Sequence, residues 1–379
     1  MARTKELDML NGALLPKLMM FSLPLALTGI LQLLFNAADV IVVGKFAGST
    51  SLAAVGATSA LINLLTGAFI GISVGVNILV ARYIGCRDDA GVSRAVHSAI
   101  TLSLLLGVVT FLLGFFLSTP MLELMGTPDD VLRLASLYLR IYFIGIPGAL
   151  IYNFAAAILR AYGDTKRPLL FLAVSGVLNV FLNLFFVIVC RLDVAGVAIA
   201  TVVSQYVSVV LILVCLMRQT GPARLSLRQL RLHPSEALRM IQIGLPAGLQ
   251  SVVFNISNVM VQSCVNSFGA DVIAANTASA NIAAFTYTAM NAVFHAAITF
   301  TSQNLGARRY DRVMKIFWAC QATVLLIGIP LCMLSTVFGP QLLSIYVSAD
   351  DPARDAVIAM GMIRTYYVTT PYFLCGIME

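Results

Sequence analysis

The stretch FSLPLAL at residues 21–27 returns as IGLPAGL at residues 243–249. Pro24 falls on Pro246, an offset of 222, and at the same offset Asn36 falls on Asn258 and Phe46 on Phe268. After one residue of slippage, SLAAVGATSA (51–60) matches VIAANTASAN (272–281). ARYIGCRDDA (81–90) then matches TSQNLGARRY (301–310), with Gly85 on Gly306 and Arg87 on Arg308. Further on, LRIYFIGIPGAL (139–150) matches IRTYYVTTPYFL (363–374), which places Arg140 on Arg364, Tyr142 on Tyr366 and Pro147 on Pro371. The chain is internally duplicated, and the register holds across four apolar segments.

Those segments decide the solvent. Of 379 residues, 59% are hydrophobic and 11% charged, against about 25% charged in a soluble domain. No soluble core hides that much apolar surface, so the chain reads as an all-α polytopic membrane protein. Ten segments are expected to span, at 15–43, 52–80, 95–118, 132–157, 168–190, 194–217, 238–266, 272–301, 313–337 and 356–379. Each is long enough to cross a core of about 30 Å at about 1.5 Å per residue. The first run reads as a retained span rather than a cleaved signal, with Pro24 as its natural kink site.

Charge sets the orientation. Eighteen of the 24 Lys and Arg residues fall in the N-terminal segment and the loops after even-numbered spans, and four fall on the opposite side. This bias predicts a cytoplasmic N-terminus in a cell membrane. The net charge of +7 therefore reports topology, and no nucleic-acid partner is expected.

The longest polar connection, RQTGPARLSLRQLRLHPSEA at 218–237, is basic with alternating leucines and is expected to lie against lipid of the inner leaflet. It divides an N-terminal lobe of six spans (1–217) from a C-terminal lobe of four (238–379). Both lobes begin on the same side, so the repeats are parallel. In transporters built this way, substrate binds between the halves near the midplane. If the second repeat is complete, two spans are missing, and the chain reads as C-terminally truncated.

Enzyme chemistry finds little support. The seven cysteines are scattered with no C-x-x-C pair and read as apolar fillers. His97, His233 and His295 lie far apart, with no nucleophile or metal spacing between them. No metal site and no cofactor are expected.

With these features on the page, the chain resembles the multidrug and toxic compound extrusion (MATE) family over its whole length. The most specific pieces are LRAYGDTKRP at 159–168, TSQNLGARRYDR at 301–312 and the spacing from Pro24 to Asp39. The resemblance implies a secondary transporter of two six-span lobes, exporting mostly cationic, aromatic compounds in exchange for H⁺ or Na⁺.

Among the 17 acidic residues, only Asp39, in FNAADVIVVG (35–44), and Glu379 lie within apolar runs. A carboxylate in hydrocarbon costs several kcal/mol, roughly, unless paired, hydrated or protonated. Asp39 is either a wet or amide-bonded structural acid or a proton or cation site. LNVFLNLFF (178–186) sets Asn179 and Asn183 four apart, on one helical face, and Thr201 adds a hydroxyl. One carboxylate, two amides and a hydroxyl are hard oxygen ligands for a small cation, although the asparagines also suit plain interhelical bonding. The family's first-lobe cation pocket draws on matching positions, and some members carry Asp where this chain has Asn183.

For the substrate cavity, Gln32, Asn36, Gln250, Asn255, Asn258 and Glu379 are expected to contribute, Gln32 lying two turns from Asp39. The second lobe has no acid matching Asp39, whose repeat partner is Val261; family positions that carry acids in some members look like Phe254 and Phe373. Arg160, Gly163 and Asp164 form a cytoplasmic motif, read as a glycine-capped helix end or as part of an inner gate. Tyr142, Tyr152 and Phe154 offer faces to a cation or pack in the core.

These readings converge on a monomeric antiporter that exports organic cations, drugs or metabolites. A lipid or lipid-linked precursor flippase and a non-transporting receptor or scaffold are the alternatives.

Overall fold

The computed structural model describes residues 7–47, 49–125, 127, 129–266, 268, 270–346 and 354–378. Among them there is no strand. Nine long helices follow one another: α1 (Leu14–Val42), α2 (Ser49–Cys86), α3 (Asp89–Leu124), α4 (Asp129–Ala161), α5 (Lys166–Leu184), α6 (Asp193–Met217), α7 (Pro234–Asn266), α8 (Ala270–Gly306) and α9 (Tyr310–Val337). Three short helices complete the chain: α10 (Gly339–Ser344), α11 (Arg354–Arg364) and α12 (Phe373–Met378).

Among the described residues, eight helices are long and apolar enough to cross a membrane; the eighth and tenth expected spans are not among those eight. α8 falls outside that set because it is rich in Ala, Asn, Ser and Thr. Its Ser279, Thr286, Thr299, Gln303 and Asn304 are buried against protein, so the helix is screened by its neighbours. The tenth expected span is broken. α11 passes through a π-helical turn, Thr365–Thr369, and a 3₁₀ turn, Thr370–Tyr372, before α12. Pro371 lacks an amide hydrogen, and the Thr370 hydroxyl caps the Thr365 carbonyl at 3.1 Å. α1 continues through Pro24, and its regular winding ends in a π-helical turn at Val43–Ala47.

The duplication is visible in the backbone. Arg87 and Arg308 both have φ of 56°. The Asp88 amide donates to the Tyr83 carbonyl at 3.0 Å, and the Arg309 amide to the Asn304 carbonyl at 2.8 Å. Both helix ends thus close with the same six-to-one bond, which satisfies an orphan carbonyl.

The lobes meet through α1, α2 and α3 on one side and α7, α8 and α9 on the other. The seam is built on glycine. A Cβ on Gly71 would collide with the backbone of Gly248, one on Gly75 with the Met240 carbonyl, and one on Gly244 with the backbone of Ile72. At such points only the missing side chain lets two backbones touch. These contacts lie in the half of the bundle nearer the arginine-rich loops, and there the lobes meet backbone to backbone.

α1 crosses between the lobes. Leu18, Phe21 and Leu25 pack with Met290, Val293 and Phe300 of α8 and with Ile316 and Val324 of α9. The far half of α1 packs on α5, where the Phe35 ring fills the space left by Gly176. The linker is shorter than expected, since α7 begins at Pro234 and residues 218–233 hold one 3₁₀ turn, Leu227–Gln229.

A candidate coupling site in the first lobe

Asp39, Asn179, Asn183 and Thr201 come together. They lie on α1, α5 and α6; α5 packs against both α1 and α6, and the π-helical turn that ends α1 meets α6. Asn183 Nδ2 donates to Asp39 Oδ1 and to Asn179 Oδ1 at 3.3 Å. Asn179 Nδ2 donates to Thr201 Oγ1 at 3.4 Å, and that hydroxyl donates to the Val197 carbonyl at 3.0 Å. The chain of bonds runs carboxylate, amide, amide, hydroxyl, backbone.

Burial is graded along it. Asn183 is fully buried, whereas Asp39 is half-buried. The Asn183 Oδ1 is buried with no hydrogen-bond partner among the described residues. An orphan acceptor beside a carboxylate has a chemical use. While Asp39 is ionised, one amide hydrogen of Asn183 points to it and the other to Asn179 Oδ1. When Asp39 carries a proton, or a small cation sits between the groups, Oδ1 supplies the partner that the new charge or O–H requires.

Two neighbours were missed by the sequence reading. Tyr138 packs with Val42, Val43, Val187 and Val197 around the end of α1, and it stacks on Tyr142 with ring centroids 6.0 Å apart. Gln205 of α6 lies against Gly145 of α4, where its side chain takes the space a Cβ would need. The four-residue spacing of the tyrosines was the available signal, but it does not tell a site wall from core. Tyr152 and Phe154 are core: both are buried, and the Tyr152 hydroxyl donates to the Pro168 carbonyl at 2.8 Å.

The expected cavity residues fall on two helices. Gln32 and Asn36 on α1, and Gln250 and Asn258 on α7, are exposed, while Asn255 is half-buried and lies beside Gly67 of α2. Glu379 lies outside the described residues. In the second lobe, Val261 and Phe254 are exposed, and Phe373 packs with Met290 and Val324. The polar groups there are neutral or cationic: the Asn276 amide donates to Gln262 at 3.0 Å, and Arg364 donates to the Ser279 hydroxyl at 3.2 Å.

Arg160, Gly163 and Asp164 form a helix end. Gly163 has φ of 84°, its amide donates to the Arg160 carbonyl at 2.8 Å, and the Asp164 amide donates to the Leu159 carbonyl at 3.0 Å. This is the glycine-capped termination expected from the sequence. Asp164 accepts from the Arg167 amide at 3.1 Å and pairs with its guanidinium at 3.2 Å. Burial pushes the Asp164 carboxyl above its ordinary range, and the bonds and charge of Arg167 oppose that rise.

Comparison with known proteins agrees with this layout. A family model described as MatE matches residues 24–185 and 246–377, two stretches that begin at the paired prolines. Probable multidrug resistance protein YpnP of Bacillus subtilis is 29% identical over 377 residues, covering 99% of this chain and 84% of the relative. Probable multidrug resistance protein YoeA of the same organism is 28% identical over 339 residues, covering 88% of this chain and 73% of the relative. Among solved structures, the outward-facing conformation of a multidrug resistance MATE family transporter of the MOP superfamily superposes with a TM-score of 0.87 at 23% identity, covering 100% of this chain and 86% of the other.

Proposed function

This chain belongs to the MatE family, and we propose that it is a secondary antiporter that exports organic cations, drugs or metabolites in exchange for H⁺ or Na⁺. It is a multi-pass membrane transporter of small molecules and not an enzyme. The curated relatives named above are both bacterial.

The observation that carries the coupling reading is the bond from Asn183 to Asp39 beside the orphaned Oδ1 of Asn183. A half-buried acid with one committed donor and one idle acceptor has two low-energy states. One is the anion, held by an amide hydrogen; the other is the neutral acid or ion-bound form, held through Oδ1. Burial favours the neutral form, and opening to water or binding a cation favours the charged one. Alternating access supplies that difference in solvation.

The excess of Lys and Arg in the loops at one end supports a cytoplasmic N-terminus. With that orientation the glycine seam is the proposed cytoplasmic gate, and the proposed substrate cavity draws on Gln32, Asn36, Gln250, Asn255 and Asn258. A cation or proton arriving from outside takes Asp39, the outward cavity loses its hold on substrate, and the lobes rock to open the seam. A cationic substrate and the coupling ion then compete for the one charge of Asp39.

The test is accumulation of a fluorescent organic cation in cells lacking their own efflux pumps, with wild type and Asp39→Asn expressed equally under imposed Na⁺ or pH gradients. Wild type is expected to lower the dye and Asp39→Asn to fail, the effective gradient naming the ion. Equal transport by both under every gradient rejects the proposal.

A further inference from the structure

A second polar cavity, of about 440 Å³, lies at the arginine-rich end between α3 and the linker, away from the coupling site. Ser93, Arg94, His97, Arg228, Arg231 and His233 line it. We propose that it binds a phosphate group, carried by an acidic lipid headgroup or free in solution.

Its walls are built. His97 is 2% exposed; its Nδ1 bonds the Ser93 carbonyl at 2.7 Å, and its Nε2 accepts from the Ser226 amide at 3.1 Å. With one nitrogen accepting, that ring is neutral, and its work is to pin the linker onto α3. Ser98, the next residue, does the same. Its hydroxyl accepts from the His233 amide at 3.0 Å and lies 3.2 Å from His233 Nδ1. With the hydroxyl hydrogen on Nδ1, His233 presents Nε2–H to the cavity as a donor. Leu225 is buried in the main core of the first lobe, so the backbone carrying the arginines is anchored at both ends.

The charges are unequal in their commitments. Arg94 is spent on Glu236 at 3.1 Å and stands 3.9 Å from Asp88. Glu236, the nearest acid, is itself buried and also accepts from the Tyr83 hydroxyl at 2.9 Å. Arg228 and Arg231 form no ion pair among the described residues. Two free guanidiniums and an imidazole N–H converging on one cavity fit a tetrahedral oxyanion, which offers several acceptors at once. Leu227 and Leu230 stand exposed beside the two arginines. That pairing of apolar and cationic residues matches the boundary where a lipid phosphate sits above its acyl chains.

The test uses the purified full chain in neutral detergent at fixed ionic strength. Thermal unfolding, followed through Trp318, is titrated with dihexanoyl-phosphatidylglycerol, with dihexanoyl-phosphatidylcholine, and with inorganic phosphate. Wild type is expected to be stabilised by phosphatidylglycerol more than by phosphatidylcholine if the source is an acidic lipid, and by inorganic phosphate as well if the free ion suffices. In R228Q/R231Q the concentration for half the shift is expected to rise about tenfold or more, the loss of one to two charge-assisted bonds. R218Q/R224Q removes the same charge from exposed linker positions outside the cavity and is expected to behave as wild type. No stabilisation by either phosphate probe, or equal loss in both double variants, overturns the site.

Discussion

Gly85 of α2 and Gly306 of α8 are the same position in two repeats, and each presses on the other's helix. A Cβ on Gly85 would collide with the carbonyl oxygen of Gln303, and one on Gly306 with that of Arg82. Arg82 and Gln303 are also repeat partners, at the offset of 221 that relates the glycines. The contact is therefore reciprocal, as a two-fold arrangement of the lobes requires. Cys86 extends it with a thiol bond to the Gly306 carbonyl at 3.1 Å.

Gly306→Val is expected to pry this seam open. Overpacking costs about 1–3 kcal/mol, enough to move a two-state population by about tenfold. Spin labels at Asp89 and Tyr310, both exposed at the arginine-rich end, should report a longer distance distribution in the variant. An unchanged distribution in a folded variant removes the seam as the gate.

Glu236→Gln tests the polar tie across the same end. Glu236 on α7 accepts from Arg94 of α3 and from Tyr83 of α2, so one carboxylate links both lobes. Bonds to a charged group are worth about 1.5–3 kcal/mol, less here because the Arg94 side chain is 43% exposed. The melting temperature should fall in Glu236→Gln, and adding Arg94→Gln should cost less than the sum of the two single losses.

Asn183→Ala should impair transport nearly as much as Asp39→Asn, with the double variant no worse than the stronger single one. The reasoning is a shared function: Asn183 meets Asp39 directly, and a charge-assisted bond of about 2 kcal/mol corresponds to more than tenfold in occupancy. Efflux rates of the four proteins under one gradient measure the coupling. Additive losses mean that Asn183 supports only the helix packing.

Gly163→Ala is expected to lower stability by about 1 kcal/mol, because φ of 84° strains a side-chain-bearing residue. Asn tolerates this conformation better. Gly163→Asn should therefore recover part of the loss in a thermal melt. An equal loss in both variants would assign the cost to Leu7, whose Cβ would lie 3.0 Å from the added atom.

Much of this protein is local in origin. The apolar runs fixed nine helices to within a few residues at most boundaries, because a segment in lipid must satisfy its backbone internally and the helix does so alone. The duplication was legible as offsets of 221 to 224, since two copies of one supersecondary plan keep the same prolines and caps. Asp39, Asn179, Asn183 and Thr201 were nameable as a group because polar side chains are rare in apolar runs. The break in the tenth span was missed: a proline signals a lost donor, but how the chain repairs it depends on neighbours such as Thr365 and Thr370.

Other features exist only in three dimensions. That the Asn183 amide faces Asp39 while its oxygen stays unpaired depends on how α1, α5 and α6 rotate about their axes. That α1 lends half its length to the second lobe depends on crossing geometry. The glycines of the seam look in sequence like any small residues in a membrane helix; their meaning appears when Gly71 meets Gly248 and Gly85 meets Gln303. Sequence determined which segments enter the membrane and that they come in two parallel sets, because transfer free energy and backbone satisfaction are properties of each segment by itself. Tertiary structure decided which faces touch and where the two lobes meet, because those depend on the close packing of distant backbones, and no single segment encodes that.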